Sequence, residues 1–273
     1  MWKPLDSVDK PGNGCFEDLA GMSGTMAWVL DGASAVSDGQ ITTSGSDALW
    51  LVEHIDAHLR KLAADAVPLE KLVAMAIELT AAQAHDEWKA IPEVPPSAAL
   101  GVIRRTGDRT EFLVLADVSV IMRTDAAVFE FIDRRVDRYN KSAHDAMVET
   151  LRVSNATYAD ASERARPHLA DARRRAMNRE GGYWVASIDK GAVDHALTGA
   201  LDGVREVILA SDGFMRALRL FPLVDDVEEL FECDFEDLAA RVRRAEENDP
   251  HTRGYPRWSV SDDICARRLR WDD

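Results

Sequence analysis

The chain is poor in cysteine and holds no long apolar run. Its three cysteines, Cys15, Cys233 and Cys265, are scattered and odd in number. They form no CxxC pair and no disulfide framework. That excludes a disulfide-stapled secreted scaffold and points to a reducing, cytoplasmic setting. No apolar stretch is long enough to span a bilayer, and the opening MWKPLDSVDK lacks the apolar centre of a secretory leader. Basic residues are in deficit as well: 33 Lys and Arg face 48 Asp and Glu, giving a formal net charge of −15. A chain this acidic carries no general footprint for nucleic acid or for an anionic membrane. Internal repeats and low-complexity linkers are also missing.

What is present is a globular composition, 46% hydrophobic over 273 residues. That length serves one large domain or two small ones, and the lack of a linker favours a single domain over residues 1–273. The first part, through Asp31, reads as loop and then as a strand, TMAWVLD. A loop, SDGQITTSGS, follows. Ser46 or Asp47 then caps a helix in DALWLVEHIDAHLRKLA, where Leu49, Val52, Ile55 and Leu59 recur at helical spacing. A second helix starts after Pro68, in LEKLVAMAIELTAAQAHDEW. EVPPSAALGVIRR restarts β structure. EFLVLADVSVIMRTD reads as two strands joined near Asp117, and AVFEFID adds another. Residues from about 141 to 180, rich in Ala and Arg, read as a helical insert. REVILASD is a strand, FMRALRLF and FEDLAARVRRAEEN are helices, and SDDICARRLRW is a closing strand. Clustered strands with segregated helices predict an α+β layered sandwich, not a doubly wound parallel sheet.

Acids recur beside the strands. The runs VLDGAS and VILASDGF each end an apolar strand in Asp-Gly, at Asp31-Gly32 and Asp212-Gly213. Glu17-Asp18, Asp117 and Asp262-Asp263 make further acidic spots. Hard divalent ions such as Mg²⁺ and Mn²⁺ take oxygen ligands in octahedral array and keep several waters. Carboxylates on rigid strand ends suit them. Two ions about 3.5–4 Å apart share a water, lower its pKa and clamp a phosphoryl group. Singly, each Asp-Gly is also ordinary turn chemistry.

In order, these spots resemble the metal-dependent protein phosphatases of type 2C. CFEDLAG stands where that family has its acidic pair, WVLDGAS where it has the first Asp-Gly strand, and PSAALGVI where it has a small-residue strand. LADVSVIMR places Asp117 and Ser119 at the family's Gly-Asp-Ser turn. ASDG is present verbatim at Ala210 to Gly213, and SDDICARRLRW supplies the final acidic strand start. The resemblance implies a four-layer αββα sandwich and hydrolysis of a phosphomonoester with Mn²⁺ or Mg²⁺, two ions and a third. Asp18, Asp31, Asp212 and Asp262 are then ligands, and Gly32 offers its carbonyl. Asp117 joins Asp212 at the third ion. Glu17 acts through water, and Asp263 supports the ligands from behind.

Three positions depart from that family. Its phosphate-gripping Arg, five residues before Asp18, is Asn13 here, with Lys10 nearby. A His that follows the first Asp-Gly in some members is Ala33. The Gly-Asp-Ser turn carries Ala116 and Val118. A phosphorylated protein is the substrate class the resemblance implies. Asn13 leaves open a small phosphorylated metabolite, and a catalytically weak binding module is a further reading. Other motifs have plainer explanations. His54 and His58 lie four apart without a third zinc ligand, so with His85 they read as helix surface. The basic run ARPHLADARRRAMNRE reads as a solvated helix face, or else as a grip on a phosphorylated partner. Tyr183-Trp184 of GGYWVAS serves as a substrate flap or as core, and Ser34 lacks the partners of a nucleophile.

Overall fold

The computed structural model describes residues 1–33, 40–42, 44–152 and 156–272. Ser34, with residues 37–39 and 43 of the SDGQITTSGS loop, lies outside them. In chain order the strands are β1 (Trp2–Lys10), β2 (Leu19–Ser23), β3 (Met26–Ala33), β4 (Ser97–Thr106), β5 (Arg109–Leu115), β6 (Ser119–Thr124), β7 (Val128–Phe131), β8 (Leu197–Asp202), β9 (Val204–Ala210) and β10 (Ile264–Trp271). The helices are α1 (Asp47–Leu62), α2 (Leu69–Glu87), α3 (Arg135–Arg152), α4 (Tyr158–Ala176), α5 (Asp212–Arg219) and α6 (Phe235–Glu247).

The strands form two antiparallel sheets, ordered β1-β10-β9-β6-β7 and β2-β3-β4-β5-β8. Alternation along the central strands explains why the sheets stack. On β3, Met26, Trp28 and Leu30 pack with residues of α1 and α2, whereas Ala27 and Val29 belong to the core between the sheets. On β9, Val207 and Leu209 face that core, while Ile208 and Ala210 meet α5 and α6. Both strands are buried on both faces, which is why each reads as an unbroken apolar run. The result is the layered order helix pair, sheet, sheet, helix pair, an αββα sandwich. Each fully buried Leu or Val contributes roughly 1.5–3 kcal/mol relative to exposure.

Local signals set the helix ends. The Ser46 hydroxyl accepts from the Leu49 amide at 3.0 Å and caps α1. Thr157 and Asp160 form a reciprocal capping box at α4. The insert divides into α3 and α4, which share a small core of Met147, Leu151, Ala161 and Ala165 with Tyr158 and Trp258 against it. It begins six residues earlier than the sequence suggests and closes four earlier. No helix among the described residues is long and apolar enough to cross a membrane.

One expectation is corrected. The amino-terminal stretch is not loop: β1 pairs along β10 from Trp2 opposite Trp271 to Lys10 opposite Ile264. Only Trp2 and Val8 of it are buried, and Pro4 is tolerated because β1 is an edge strand. β5 and β6 are joined near Asp117, as the sequence suggests, but they lie in different sheets. The turn at Ala116-Asp117 carries the chain from one sheet to the other.

The side chains of the facing sheet come close to β4 at Gly101. A Cβ there meets Val120 Cγ2 at 3.0 Å and Val118 Cγ2 at 3.2 Å. Gly101→Val should therefore overpack the core and lower stability by about 1–3 kcal/mol in urea unfolding. Adding Val120→Ala should cost less than the two single changes summed, since it opens the space the new side chain needs.

Candidate active site

Register brings one end of every central strand to the same place. The end of β3 lies beside the start of β4, and the end of β9 lies between the starts of β6 and β10. A cavity of about 590 Å³ opens at that end. Its wall includes Glu17, Asp18, Asp31, Asp117, Asp212 and Asp262, with Gly32, Asp263 and Asn13 beside them. The acids come from separate stretches of chain, yet they share one wall.

Backbone geometry fixes each of them. Asp31 and Gly32 are not at a strand tip, as VLDGAS suggests: β3 continues through Ala33, and Asp31 pairs with Ala99 and Gly32 with Ala98. Small residues on β4 permit that extension. A Cβ at Gly32 would lie 2.6 Å from the Glu17 carbonyl oxygen, so only glycine lets the two segments close. Asp263 ties the amino-terminal loop down. Its carboxylate accepts from the Gly12 amide at 2.7 Å and from the Glu17 amide at 2.6 Å. That places Glu17 and Asp18 against the cavity, with Asp18 only 4% exposed. Asp212 is the first residue of α5, preceded by buried Ser211, whose hydroxyl accepts from the Cys265 amide, and the Asp212 amide donates to Asp31 Oδ2 at 3.2 Å. Asp117 follows Ala116, whose φ of 61° is a left-handed conformation that disfavours a Cβ.

The electrostatics follow from crowding. Burial, then neighbouring acids, pushes the Asp18 and Asp31 carboxyls well above the usual range, with a Ser211 hydrogen bond opposing the rise at Asp18. Burial raises Asp212 to about 7, assisted by Asp262 and Asp117, and Asp117 to about 6. Asp262 is held differently. Its Oδ2 accepts from Arg216 Nη2 at 2.5 Å. Among the described residues, no three His, Cys, Asp or Glu side chains stand in a ready ligating array. Repulsion and the Arg216 pair account for that: like charges separate, and Asp262 turns to the guanidinium.

Of the sequence-predicted substrate contacts, Asn13 lines the cavity and Lys10 does not. Lys10 is instead paired with Glu236 of α6 at 2.6 Å. The cations that reach the site come from the basic run ARPHLADARRRAMNRE, which the sequence offers as a solvated face or as a grip on a phosphorylated partner. Ser162, Arg166, Leu169 and Arg173 of α4 line the cavity at i, i+4, i+7 and i+11, one face of the helix. Arg174 and Arg175 point elsewhere, to Glu93 and Asp171. The basic run is thus divided, with Arg166 and Arg173 at the cavity and Arg174 and Arg175 in ion pairs away from it. Tyr183 also lines the cavity, while Trp184 stacks on His195 at 3.7 Å. His54 and His58 make ordinary contacts, with the Trp50 carbonyl and with Gln83. Arg216, one helical turn after Asp212, was overlooked, although its i+4 spacing was visible.

A model of the protein phosphatase 2C family matches residues 16–249. The chain belongs to the protein phosphatase 2C family. It is a metal-dependent enzyme that hydrolyses phosphoric monoesters and uses Mn²⁺ or Mg²⁺. No curated protein matches it by sequence. Among solved structures it is similar to the Mycobacterium tuberculosis serine/threonine phosphatase PstP/Ppp, with 13% identity, a TM-score of 0.58, and 100% of this chain and 99% of that one covered. The catalytic domain of PstP in complex with two manganese ions is similar at 13% identity and a TM-score of 0.55, covering 100% and 98%. Stp1 from Staphylococcus aureus follows at 10% identity and 0.52, covering 99% and 96%. At such identities the likeness is one of fold.

The wall of this phosphatase suits a hard divalent ion on its own chemistry. Its donors are oxygens throughout. Asp18 Oδ2 is buried without a hydrogen-bond partner, and glycine at position 32 keeps main chain close to the acids.

A pH dependence follows for the metal-free protein. Asp212 has a folded pKa of about 7, against about 3.9 for an unfolded aspartate. Between pH 8 and pH 6 the folded chain takes up a proton there that the unfolded chain does not, so stability rises as pH falls. The gain from Asp212 alone is about 1 kcal/mol, and Asp18 and Asp31 share its sign. Urea unfolding in EDTA should show it. Asp212→Asn should flatten the dependence and be as stable as the parent, or more so, at pH 8.

Proposed function

We propose that the enzyme is a serine/threonine phosphoprotein phosphatase that works with two divalent ions. Asp18, Asp31, Asp212 and Asp262 are assigned as side-chain ligands, with the Gly32 carbonyl, and Asp117 with Asp212 as a weaker third site. Glu17 acts through water and Asp263 holds the ligand loop. The observation that carries this reading is the convergence of these acids on one cavity, with Asp18 Oδ2 left unpartnered in it. When bound, the ions supply an acidified water and neutralise charge on the phosphoryl oxygens.

The chain's own residues do the rest. The carboxylates pull the ions to one wall. Arg166 and Arg173 on the facing helix α4 supply positive charge for the phosphate, in the place of the arginine absent at position 13. Arg173 is suited to it: burial works against its charge, and Tyr183, Glu17 and Asp117 nearby support it. A guanidinium grips phosphate through a charged fork, whereas Asn13 offers a neutral amide. Orientation of the phosphate toward the acidic wall therefore falls to α4.

Turnover of p-nitrophenyl phosphate with Mn²⁺, with Mg²⁺ and with EDTA tests the reading. Activity should require the ion and be abolished in Asp212→Asn without loss of fold. Arg173→Ala should raise KM about tenfold with a smaller change in kcat, since a charge-assisted hydrogen bond is worth about 1.5–3 kcal/mol before solvent takes its share. Faster release of phosphate from phosphoserine peptides than from sugar phosphates supports a protein substrate. The reverse order favours a metabolite, and ion binding without any turnover favours a binding module.

A further inference from the structure

A buried cation sits inside the acidic wall. Arg216 lies on α5, one turn after Asp212, and is 7% exposed. Its Nη2 donates to Asp262 Oδ2 at 2.5 Å and to Ser259 Oγ at 2.8 Å. Its Nη1 donates to Glu246 Oε1 at 2.6 Å and to the Ser259 carbonyl at 3.4 Å. Glu246 of α6 is 1% exposed, and its other oxygen accepts from Arg243 at 2.7 Å and from Ser261 Oγ at 2.7 Å. Glu246 therefore anchors the guanidinium from behind and aims its remaining fork at Asp262. Asp212 lies close enough to act on the same charge.

We propose that Arg216 is a built-in counter-cation that competes with a divalent ion for Asp262 and Asp212, and so sets the affinity of the more weakly held ion. The proposal rests on the assignment of these two acids as ligands. A carboxylate has lone pairs enough for a metal and a guanidinium together. The two cations nevertheless repel, and the hydrogen bond draws electron density from the oxygen the metal needs. Arg216 is nearly enclosed, so bulk salt screens this repulsion poorly. Among the described residues, no guanidinium or ammonium pairs with the carboxylates of Asp18 and Asp31, so the penalty falls on one side of the wall. The wall thereby acquires a strong position and a deliberately weak one.

Mn²⁺ titration of the full chain by calorimetry, with free Mn²⁺ followed by electron paramagnetic resonance, tests this. The wild type should bind in a tight and a weak step. Arg216→Met should tighten the weak step about tenfold and leave the tight step nearly unchanged. Arg216→Lys keeps the charge and should stay near the wild type. The double variant Arg216→Met with Glu246→Gln removes one charge of each sign, which protects the fold, and should also bind the weak ion more tightly. The added affinity should persist at high salt. If the variants bind the weak ion no better, or if Lys and Met weaken it alike, Arg216 is an orienting prop and the counter-cation is overturned, while hydrolysis by the wild type leaves the phosphatase reading standing. If the wild type takes up no Mn²⁺, both fall together.

Discussion

Asp18, Asp31, Asp117 and Asp212 are all held above the ordinary aspartate range, and in each case burial is the leading cause. Left to themselves such groups would move apart or draw in water. They stay together because they are mounted on the ends of hydrogen-bonded ladders whose other ends run through the core. Asp31 belongs to a strand paired on both sides, and Asp212 starts a helix whose far side is packed by Phe214 and Phe235. Hydrophobic layering on both faces of both sheets thus opposes a local repulsion that the wall's own hydrogen bonds, such as that of Ser211 to Asp18, offset only in part. The site is stable only as part of the sandwich.

Positive charge is distributed to match. The chain carries a net −15, but its arginines are not spread evenly around the acids. Arg216 approaches from the protein interior and is locked by Glu246, whereas Arg166 and Arg173 approach from α4 across the cavity. The first is fixed in place by two acids and a serine. The others sit on a helical hairpin with a small core of its own, four residues backed by Tyr158 and Trp258. On the roles proposed above, interior charge tunes the wall toward cations and charge on the hairpin tunes it toward anions, so that the two can change independently.

Much of this was legible in the chain. The runs MAWVL and VILA announced strands buried on both faces, the apolar spacing in α1 and α2 gave the helix pair, and the order of acidic spots pointed to a single wall. What escaped notice had physical causes. β1 and β8 are edge strands, with Pro4 and mostly exposed side chains, so no periodic signal survives in them. Asp31-Gly32 looked like a turn because Asp-Gly is turn chemistry; continuation of the ladder depends on Ser97–Ala99, small residues far away in sequence. Ala116 in a left-handed conformation contradicts local propensity and is imposed by the passage between sheets. Lys10 was nearby in sequence but faces the other way, because side chains alternate along β1 and Glu236 is there to receive it. Arg173 was hidden in a basic run because only one helical face of it meets the cavity.

The carboxylate of Asp263 holds the amides of Gly12 and Glu17, partners some 250 residues away in the chain. β1 likewise has no neighbour until β10 is made. The acidic loop that carries Asp18 is made long before the residue that seats it, Asp263. On the ribosome, then, the helix pair and the sheet of β3, β4 and β5 have their partners early, while the wall waits for β10. Loop closure over nearly the whole chain makes this a late, slow step. A chain that stops short of Asp263 therefore carries most of the wall's acids but not the carboxylate that seats Glu17 and Asp18.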